Sequence, residues 1–301
     1  MATSGGPSRY TARVTPRSHR IRLDTGLDYH VLEWDPGPEA RHTVLLLHGF
    51  LDSSWGWVKV VEAGLGGYHV IAPDLRGHGD SDHIGAGGYY HFADYLADVE
   101  DLVRKVARER LSLVGHSMGG SVASYFTGTW PERVARLALL EGLGPPETGA
   151  AAPERIRAWL AAWRRVRDTP ARALASVEDA AARIRKHDPR CSAEEALRLA
   201  QHGTTPMAGG VRFKHDPLHA TPGPHGFQLE VARSFWRAVT CPVLLVDGAE
   251  SVFMTGVGPD QMASRASYFT DSRREVLADA GHMMMRHQPA ALAALLAAFL
   301  A

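Results

Sequence analysis

The sequence predicts an α/β protein with a mostly parallel central sheet, helices on both faces and an inserted helical lid. Three observations support this prediction. Short apolar runs recur along the chain, as expected of strands buried on both faces. Helical stretches separate these runs, and the alternation is interrupted once, over residues 146–239. We therefore expect a flexible arm at 1–18, a core formed by 19–145 and 240–301, and a lid formed by 146–239.

The elements of the core follow in chain order from local patterns. A turn at Gly26 between two alternating segments predicts a β-hairpin over 21–34. Parallel strands are expected at the apolar runs 43–47, 69–72, 111–114, 135–140, 242–246 and, as a weaker run, 274–277. Core helices are expected over about 53–63, 92–109, 118–128, 259–266 and 289–300. Strands that alternate with helices in this way form right-handed crossovers, which place helices on both faces of a sheet.

The lid segment is predicted to contain helices and no strand. Pro145 and Pro146 open the segment, and Pro242 follows its end. The expected lid helices cover roughly 153–167, 171–187, 192–202 and 228–238. We expect the apolar stripe of the lid, with Trp159 and Trp163 on its first helix, to close over a site and the arginine-rich face to be solvated.

The most specific local signal is a G-x-S-x-G pattern centred on Ser117. It runs from Gly115 to Gly119, directly after the predicted strand 111–114 and directly before a predicted helix. The glycines permit a turn tight enough to lift the serine hydroxyl above the sheet, and the N-terminus of the helix points at the same place. Ser117 is therefore the candidate nucleophile.

A second feature, His48-Gly49-Phe50, follows the predicted strand 43–47. Ligands of parallel sheets bind beyond the carboxyl ends of the strands. The backbone N–H groups of Phe50 and Met118 are therefore expected to form an oxyanion hole, which stabilises a carbonyl oxygen as it gains negative charge. We expect His48 itself to be buried and hydrogen-bonded to loop backbone.

Together with two further motifs, these features resemble the α/β-hydrolase fold family. The four matching segments, in chain order, are His48–Phe50, Pro73–Asp82, Gly115–Gly120 and Gly281-His282. The resemblance covers about residues 21–301, and residues 140–146 with the lid resemble the serine-hydrolase-like group. It implies that His282, which follows the last predicted strand, is the catalytic histidine. An imidazole can take the serine proton and return it near neutral pH. His287 is the weaker second candidate.

The sequence departs from the family pattern at the acid that orients this histidine. The resemblance places an Asp three residues after a glycine beyond strand 242–246, and Ser251 stands there instead. Some members of the family carry the acid after the preceding strand, where this chain has Glu141. Glu141 is favoured because the usual acid is missing, and the order Ser, Glu, His agrees with the chain order usual in this fold. Glu250 and Asp247 remain alternatives.

Composition and motifs also limit the partners. Thirty-three basic residues against 33 acidic ones argue against a nucleic-acid partner. No apolar run is long enough to cross a membrane, and residues 1–20 contain none, so we expect a cytoplasmic protein without membrane association. No phosphate-binding glycine motif is present, and no cofactor is expected. His215 and His219, separated by Pro217, are expected to be solvated loop histidines, so no metal is expected either.

The expected function is that of a serine hydrolase acting on an ester or related acyl bond of a small, apolar substrate. Ser117 would form the acyl-enzyme, His282 would act as general base and Glu141 would orient it. Two alternatives stay open: a C–C bond hydrolase that uses the same serine, and a non-catalytic, receptor-like protein that binds a ligand under its lid. Ser251 in the usual acid position favours the second. No feature of the sequence specifies an oligomeric state.

Overall fold

The structure is a computed structural model, of which we describe residues 15–147, 149, 151–169, 172–252 and 257–301. Residues 1–14 of the predicted arm lie outside the described residues, and the first strand already begins at Arg17. The strands are β1 Arg17–Arg22, β2 Asp28–Trp34, β3 His42–Leu47, β4 His69–Pro73, β5 Arg110–His116, β6 Arg136–Leu140, β7 Thr204–Met207, β8 Gly210–Phe213, β9 Val243–Gly248 and β10 Ser272–Leu277.

The central sheet has the strand order β1-β2-β4-β3-β5-β6-β9-β10. β1 and β2 form the predicted hairpin, and β2 pairs antiparallel with β4. From β4 onwards in this order, neighbouring strands of the central sheet pair parallel. In this register Leu47 at the end of β3 pairs with Gly115, and His116 at the end of β5 pairs with Leu140. The carboxyl ends of β3, β5, β6 and β9 therefore meet at one edge, where a parallel sheet binds its ligands. The predicted α/β fold class is confirmed.

Helices cover both faces of this sheet. They are α1 Val58–Val60, α2 Phe92–Val106, α3 Met118–Thr129, α4 Ala152–Asp168, α5 Val177–His187, α6 Ala193–Gly203, α7 Leu229–Ala238, α8 Pro259–Ala266, α9 Met284–His287 and α10 Pro289–Leu300. The helix expected over 53–63 consists of a 3-10 turn, the short α1 and a π turn that ends at Leu65. Among the described residues, no helix is both long and apolar enough to cross a lipid bilayer.

Side-chain alternation along the strands divides the core into two layers. Leu45, Leu113 and Leu137 face one layer together with residues of α2, α3 and α7. Val44, Leu46 and their neighbours face the other, which α10 covers. Because successive strand residues point to opposite faces, strands of a sheet covered on both sides are apolar along their whole length. The short apolar runs of the sequence are these strands.

The predicted lid segment 146–239, for which we keep the name lid, contains a β-hairpin as well as helices, so the expectation that it contains no strand is wrong. β7 and β8 pair antiparallel, with Thr204 opposite Phe213 and Met207 opposite Gly210. Gly209 and Gly210 have φ values of 84° and 141°, which residues other than glycine rarely adopt. These two glycines therefore allow the tight turn. The two strands have four residues each. Such short strands leave little alternation for a sequence pattern to detect.

The last helix of the predicted lid segment packs on the core. The ring of Phe235 in α7 stacks on Tyr125 in α3, with ring centroids 4.3 Å apart. The indole of Trp236, fully buried, donates a hydrogen bond of 3.1 Å to the hydroxyl of Ser124. A Cβ atom added to Gly128 would lie 2.3 Å from the carbonyl oxygen of Phe235. The two helices therefore approach each other more closely than any residue larger than glycine allows.

The close approach of α3 and α7 gives a stability prediction. Gly128→Ala should lower the free energy of unfolding by about 1–3 kcal/mol, because the backbone of α7 must move to accommodate the methyl group. Gly203→Ala is the matched control, since a Cβ atom there meets no atom within 4 Å and alanine favours the helix. Thermal denaturation followed by circular dichroism measures both. Equal melting temperatures for Gly128→Ala and the wild type would contradict the packing described here.

Candidate active site

Ser117 lies in a strained turn between β5 and α3, which we call the elbow. Its φ and ψ angles are 51° and −117°, in a region that non-glycine residues occupy only where the surrounding structure imposes it. The neighbouring glycines explain how the turn fits. A Cβ atom on Gly115 would lie 2.4 Å from the Gly119 carbonyl oxygen, and one on Gly119 would lie 2.4 Å from the Leu47 carbonyl oxygen. The first turn of α3 therefore packs directly against the end of β3, and Ser117 faces a cavity above the sheet.

The loop after β3 lies against this turn. A Cβ atom on Gly49 would be 3.2 Å from the Cβ of Ser117, and Phe50, the predicted oxyanion-hole residue, follows Gly49 in the chain. Met118 is the first residue of α3, and its N–H has no acceptor within the helix. Among the described residues, no hydrogen bond uses the N–H of Phe50 or of Met118. Both N–H groups are thus without an acceptor in the part of the chain that the structure describes.

The structure brings Glu141 and His282 into direct contact. Glu141 directly follows β6, and its Oε2 lies 2.6 Å from Nδ1 of His282. Because the carboxylate can only accept, Nδ1 of the imidazole carries the proton. The carboxylate is buried, with 0% of the side chain exposed. An acid and a histidine 141 positions apart in the chain form one hydrogen-bonded pair.

Ser251 is part of the acid's surroundings. Its hydroxyl donates 2.8 Å to Glu141 Oε2, and the N–H of Gly248 donates 2.9 Å to Glu141 Oε1. The residue in the family's usual acid position thus binds the acid that comes from the neighbouring strand. The sequence marks Ser251 only as a departure from the family pattern and gives no sign of this contact.

The two alternative acids are engaged elsewhere. The half-exposed Glu250 forms an ion pair with Arg190 of the lid. Asp247 forms an ion pair with Arg274 of β10, and burial raises the pKa of its carboxyl despite the opposing effect of that arginine. Neither carboxylate has a described hydrogen bond to His282.

Three further histidines hold the loops of the site. His48 is buried, as expected, and accepts from the N–H of Leu75 at 2.9 Å. Nε2 of His116 donates 2.9 Å to the carbonyl oxygen of His282, and burial lowers the pKa of His116 well below its ordinary value. His287, the second candidate for the base, accepts from the N–H of Gly281 at 3.0 Å. It therefore holds the backbone next to His282.

The expectation that His219 is a solvated loop residue is wrong. Its side chain is buried, with its ring centroid 4.1 Å from that of His78 and 3.9 Å from that of Tyr90. Burial lowers the pKa of His219 to about 4 and that of His78 well below its usual range. His215 is half-buried and stacks on Phe213. Prolines on both sides of His219 predict a loop residue. Its burial depends on how the lid packs on the core, which the sequence does not show.

Two clusters of histidines and carboxylates are close enough together to bind a cation. They are His30, Asp74 and Asp80 in one cluster, and Glu33, Asp35 and His69 in the other. Asp74 already accepts from Ser54 N–H at 2.7 Å and from Asp80 N–H at 2.9 Å. Glu33 binds Arg17 and His69. The carboxylate oxygens of Asp74 and Glu33 are thus hydrogen-bonded to donors of the protein.

The cavity above Ser117 has a volume of about 620 Å³. Its wall is formed by the loop of Phe50, the first turns of α2 and α3, and residues of the lid segment. Most of the side chains in contact with it are aromatic or aliphatic: Phe50, Phe92, Met118, Tyr125, Pro145, Phe227 and Val231. Arg155, His225 and Gln228 add polar groups from the lid segment. No local sequence signal marks these lid residues, because their role depends on where the lid packs.

Residues 42–285 match the family model described as alpha/beta hydrolase fold. This match covers most of the chain, and the sheet order and the elbow agree with it. The chain belongs to the α/β-hydrolase fold family. The resemblance inferred from the sequence is thereby confirmed.

Three proteins are similar to this chain along most of its length. A serine hydrolase-like protein of Danio rerio is 26% identical over 275 residues, 88% of this chain and 83% of the relative. The 3-hydroxybutyrate-oligomer hydrolase of Cupriavidus necator is 28% identical over 274 residues, 88% and 89% of the two chains. The structure of a thioesterase domain from the curacin biosynthetic pathway superposes with a TM-score of 0.79 at 27% identity, covering 93% of this chain and 98% of that domain. Two of these three similar proteins are thus named as hydrolases and the third as a thioesterase domain.

The buried histidines predict how stability depends on pH. The pKa of His219 in the folded protein lies below that of an unfolded histidine, so the unfolded state binds more protons below about pH 6.5. Stability should therefore fall as the pH is lowered from about 6.5 towards about 4. Melting temperatures measured from pH 8 to pH 4 test this, and His219→Gln should have a shallower dependence. His187→Gln, at an exposed lid position, serves as the control and should behave as the wild type. Identical slopes for His219→Gln and the wild type would contradict the prediction.

Proposed function

We propose that the protein is a serine hydrolase that cleaves carboxylic ester bonds of small, mostly apolar substrates through an acyl-enzyme on Ser117. The observation that carries this proposal is the 2.6 Å hydrogen bond between Glu141 and His282 at the sheet edge where the elbow presents Ser117. A nucleophile, a base and an orienting acid at one sheet edge constitute the arrangement that activates a serine.

The proposed reaction uses each group in turn. Nδ1 of His282 donates to Glu141, so Nε2 is the ring nitrogen that takes the proton of the Ser117 hydroxyl. The serine oxygen attacks the carbonyl carbon, and the electron pair of the carbonyl bond moves to its oxygen. The N–H groups of Phe50 and Met118 stabilise that oxyanion. When the carbonyl re-forms, the bond to the alcohol oxygen breaks, and His282 returns the proton to the leaving alcohol.

Water completes the cycle by the same path. His282 takes a proton from a water molecule, whose oxygen attacks the acyl carbon of the ester on Ser117. Collapse of the second tetrahedral intermediate breaks the bond to Ser117, and the proton returns to the serine oxygen. Glu141 stabilises the imidazolium that forms in each half-reaction. Its contacts with Gly248 and Ser251 keep the carboxylate in place.

The character of the cavity supports an apolar substrate. Aromatic and aliphatic side chains form most of its wall, and apolar ligand surface is stabilised by removal from water. Oligomers of a hydroxy acid are joined by ester bonds, so the relative from C. necator is in line with ester chemistry. The similarity to a thioesterase domain makes thioesters the second substrate class to assay, since the same acyl-enzyme accounts for both.

Replacement of the nucleophile tests the reaction class. Ser117→Ala should lower the hydrolysis of short p-nitrophenyl esters by about 10³-fold or more, because no acyl-enzyme can form. It should also abolish labelling by a fluorophosphonate probe, whereas Ser234→Ala, at an exposed position of α7, should retain it. A wild-type protein that neither hydrolyses esters or thioesters nor reacts with the probe would instead favour the receptor-like alternative.

A second pair of variants tests the acid. Glu141→Gln should lower kcat by about 10²- to 10⁴-fold, because an amide cannot stabilise the imidazolium. Glu250→Gln should stay close to the wild type, since that side chain is half-exposed and paired with Arg190. Loss of activity only in Glu250→Gln would overturn the assignment of Glu141.

The contact between Ser251 and Glu141 allows a rescue experiment. In the Glu141→Gln background, Ser251→Asp places a carboxylate at the position that lies 2.8 Å from the acid oxygen bound by His282. We expect the double variant to recover at least about tenfold in kcat over Glu141→Gln alone. Ser251→Asp alone should be less stable than the wild type, because two carboxylates would then share one buried site.

A further inference from the structure

The lid contacts the core close to both catalytic loops through a cluster of buried charged and polar side chains. Asp188 belongs to the lid, directly after α5, and its side chain is 9% exposed. Arg286 and His287 belong to α9, which follows the loop of His282, and their side chains are 11% and 4% exposed. Asp52 lies in the loop of Phe50, and its side chain is 7% exposed. We refer to these four residues as the lid cluster.

One branch of the lid cluster leads to the loop of the catalytic base. Nδ1 of His287 accepts from the N–H of Gly281 at 3.0 Å, and Nε2 lies 2.8 Å from Oδ1 of Asp188. Because Nδ1 accepts, the ring proton is on Nε2 and is donated to Asp188. The lid carboxylate thereby holds His287 in the tautomer and orientation that bind the backbone next to His282.

The other branch leads to the loop of the oxyanion hole. Arg286 is 3.0 Å from Oδ1 of Asp52 and 3.5 Å from Oδ2 of Asp188. The N–H of Asp52 donates 3.2 Å to the carbonyl oxygen of Gly49, which closes the turn that contains Phe50. The guanidinium thus joins the lid carboxylate to the turn that carries one of the two oxyanion donors.

The lid backbone fixes the position of Asp188. Its N–H donates to Ile184 at 2.9 Å, and its carbonyl oxygen accepts from Cys191 at 3.0 Å. Burial alone would raise the pKa of the Asp188 carboxyl, but the hydrogen bond from His287 and the charge of Arg286 outweigh it and lower this pKa. A buried charge is tolerated only with such partners, so loss of Asp188 would leave Arg286 and His287 incompletely paired.

From these contacts we infer that Asp188 is a positioning residue through which a docked lid holds the loops of both His282 and Phe50 in their catalytic geometry. This inference rests on the proposed serine-hydrolase function. It assigns to the lid a role in the chemical step, in addition to covering the cavity. Small displacements of a base or of an oxyanion donor lower the rate of the chemical step more than they weaken substrate binding.

The test compares two variants of Asp188 with a matched lid variant. Asp188→Ala should lower kcat and the rate of fluorophosphonate labelling by about 10- to 100-fold, with KM within about twofold of the wild type. Asp188→Asn should recover most of this loss, since its amide oxygen can still accept from His287. Lys214→Ala removes a different contact between lid and core, the 2.7 Å ion pair with Asp80, and should leave kcat within about twofold of the wild type.

Assays are made at a temperature at which circular dichroism shows each variant to be folded. A lower melting temperature of Asp188→Ala with unchanged kcat and labelling rate would mean a purely structural role and would overturn the inference. An equal loss of kcat in Lys214→Ala would also overturn it, because any loosening of the lid would then suffice.

Should Asp188→Ala not fold, His287→Asn replaces it, since asparagine can accept from Gly281 but does not reach Asp188. The same loss of kcat is then expected, and kcat within about twofold of the wild type would contradict the inference.

The wild type separates this inference from the proposed function. If wild-type protein neither hydrolyses esters or thioesters nor reacts with the probe, the proposed function fails and no role in catalysis can be assigned to Asp188. If the wild type is active and depends on Ser117, while the Asp188 variants match it in kcat and labelling, only the inference about the lid fails.

Discussion

A single buried carboxylate, that of Glu141, joins the parts of the chain that form the site. An ionised carboxylate without contact to water is stable only when its oxygens are hydrogen-bonded. Here the donors come from the end of β9, from the loop after it and from the loop after β10: Gly248, Ser251 and His282. The ends of β6, β9 and β10 must therefore keep their mutual positions for this group to remain buried. The same interaction that fixes these loops also orients His282.

The second constraint is the close contact of backbones around the elbow. Gly119 lies against the end of β3, and a Cβ atom on Gly120 would be 2.6 Å from Cα of Gly142 at the end of β6. On the other side, a Cβ atom on Gly248 would be 2.5 Å from the carbonyl oxygen of Ala280. These glycines bring three loops closer than side chains would permit. The distances of the site are thus set mainly by backbone packing, and the side chains of Ser117, Glu141 and His282 project from fixed positions.

Two parts of the lid contact the core in different ways. Its hairpin and α5–α6 surround a small apolar core of their own, which includes Cys191 and Leu199. α7, in contrast, shares the main core through Trp236. Charged contacts join the first part to the loops of His282 and Phe50, whereas close apolar packing joins α7 to α3.

The sequence by itself determined the fold class, the strands of the sheet, the elbow at Ser117 and the position of His282. These rest on local patterns: apolar runs, glycine spacing and the order of short motifs along the chain. Only the tertiary structure decided which of Glu141, Glu250 and Asp247 contacts His282, that Ser251 binds the acid, and that His219 is buried. It also decided which lid residues form the cavity and that Asp188 meets His287. The physical reason is the same in each case: these contacts join residues far apart in the chain, and their geometry depends on how strands and lid pack, which no local pattern records.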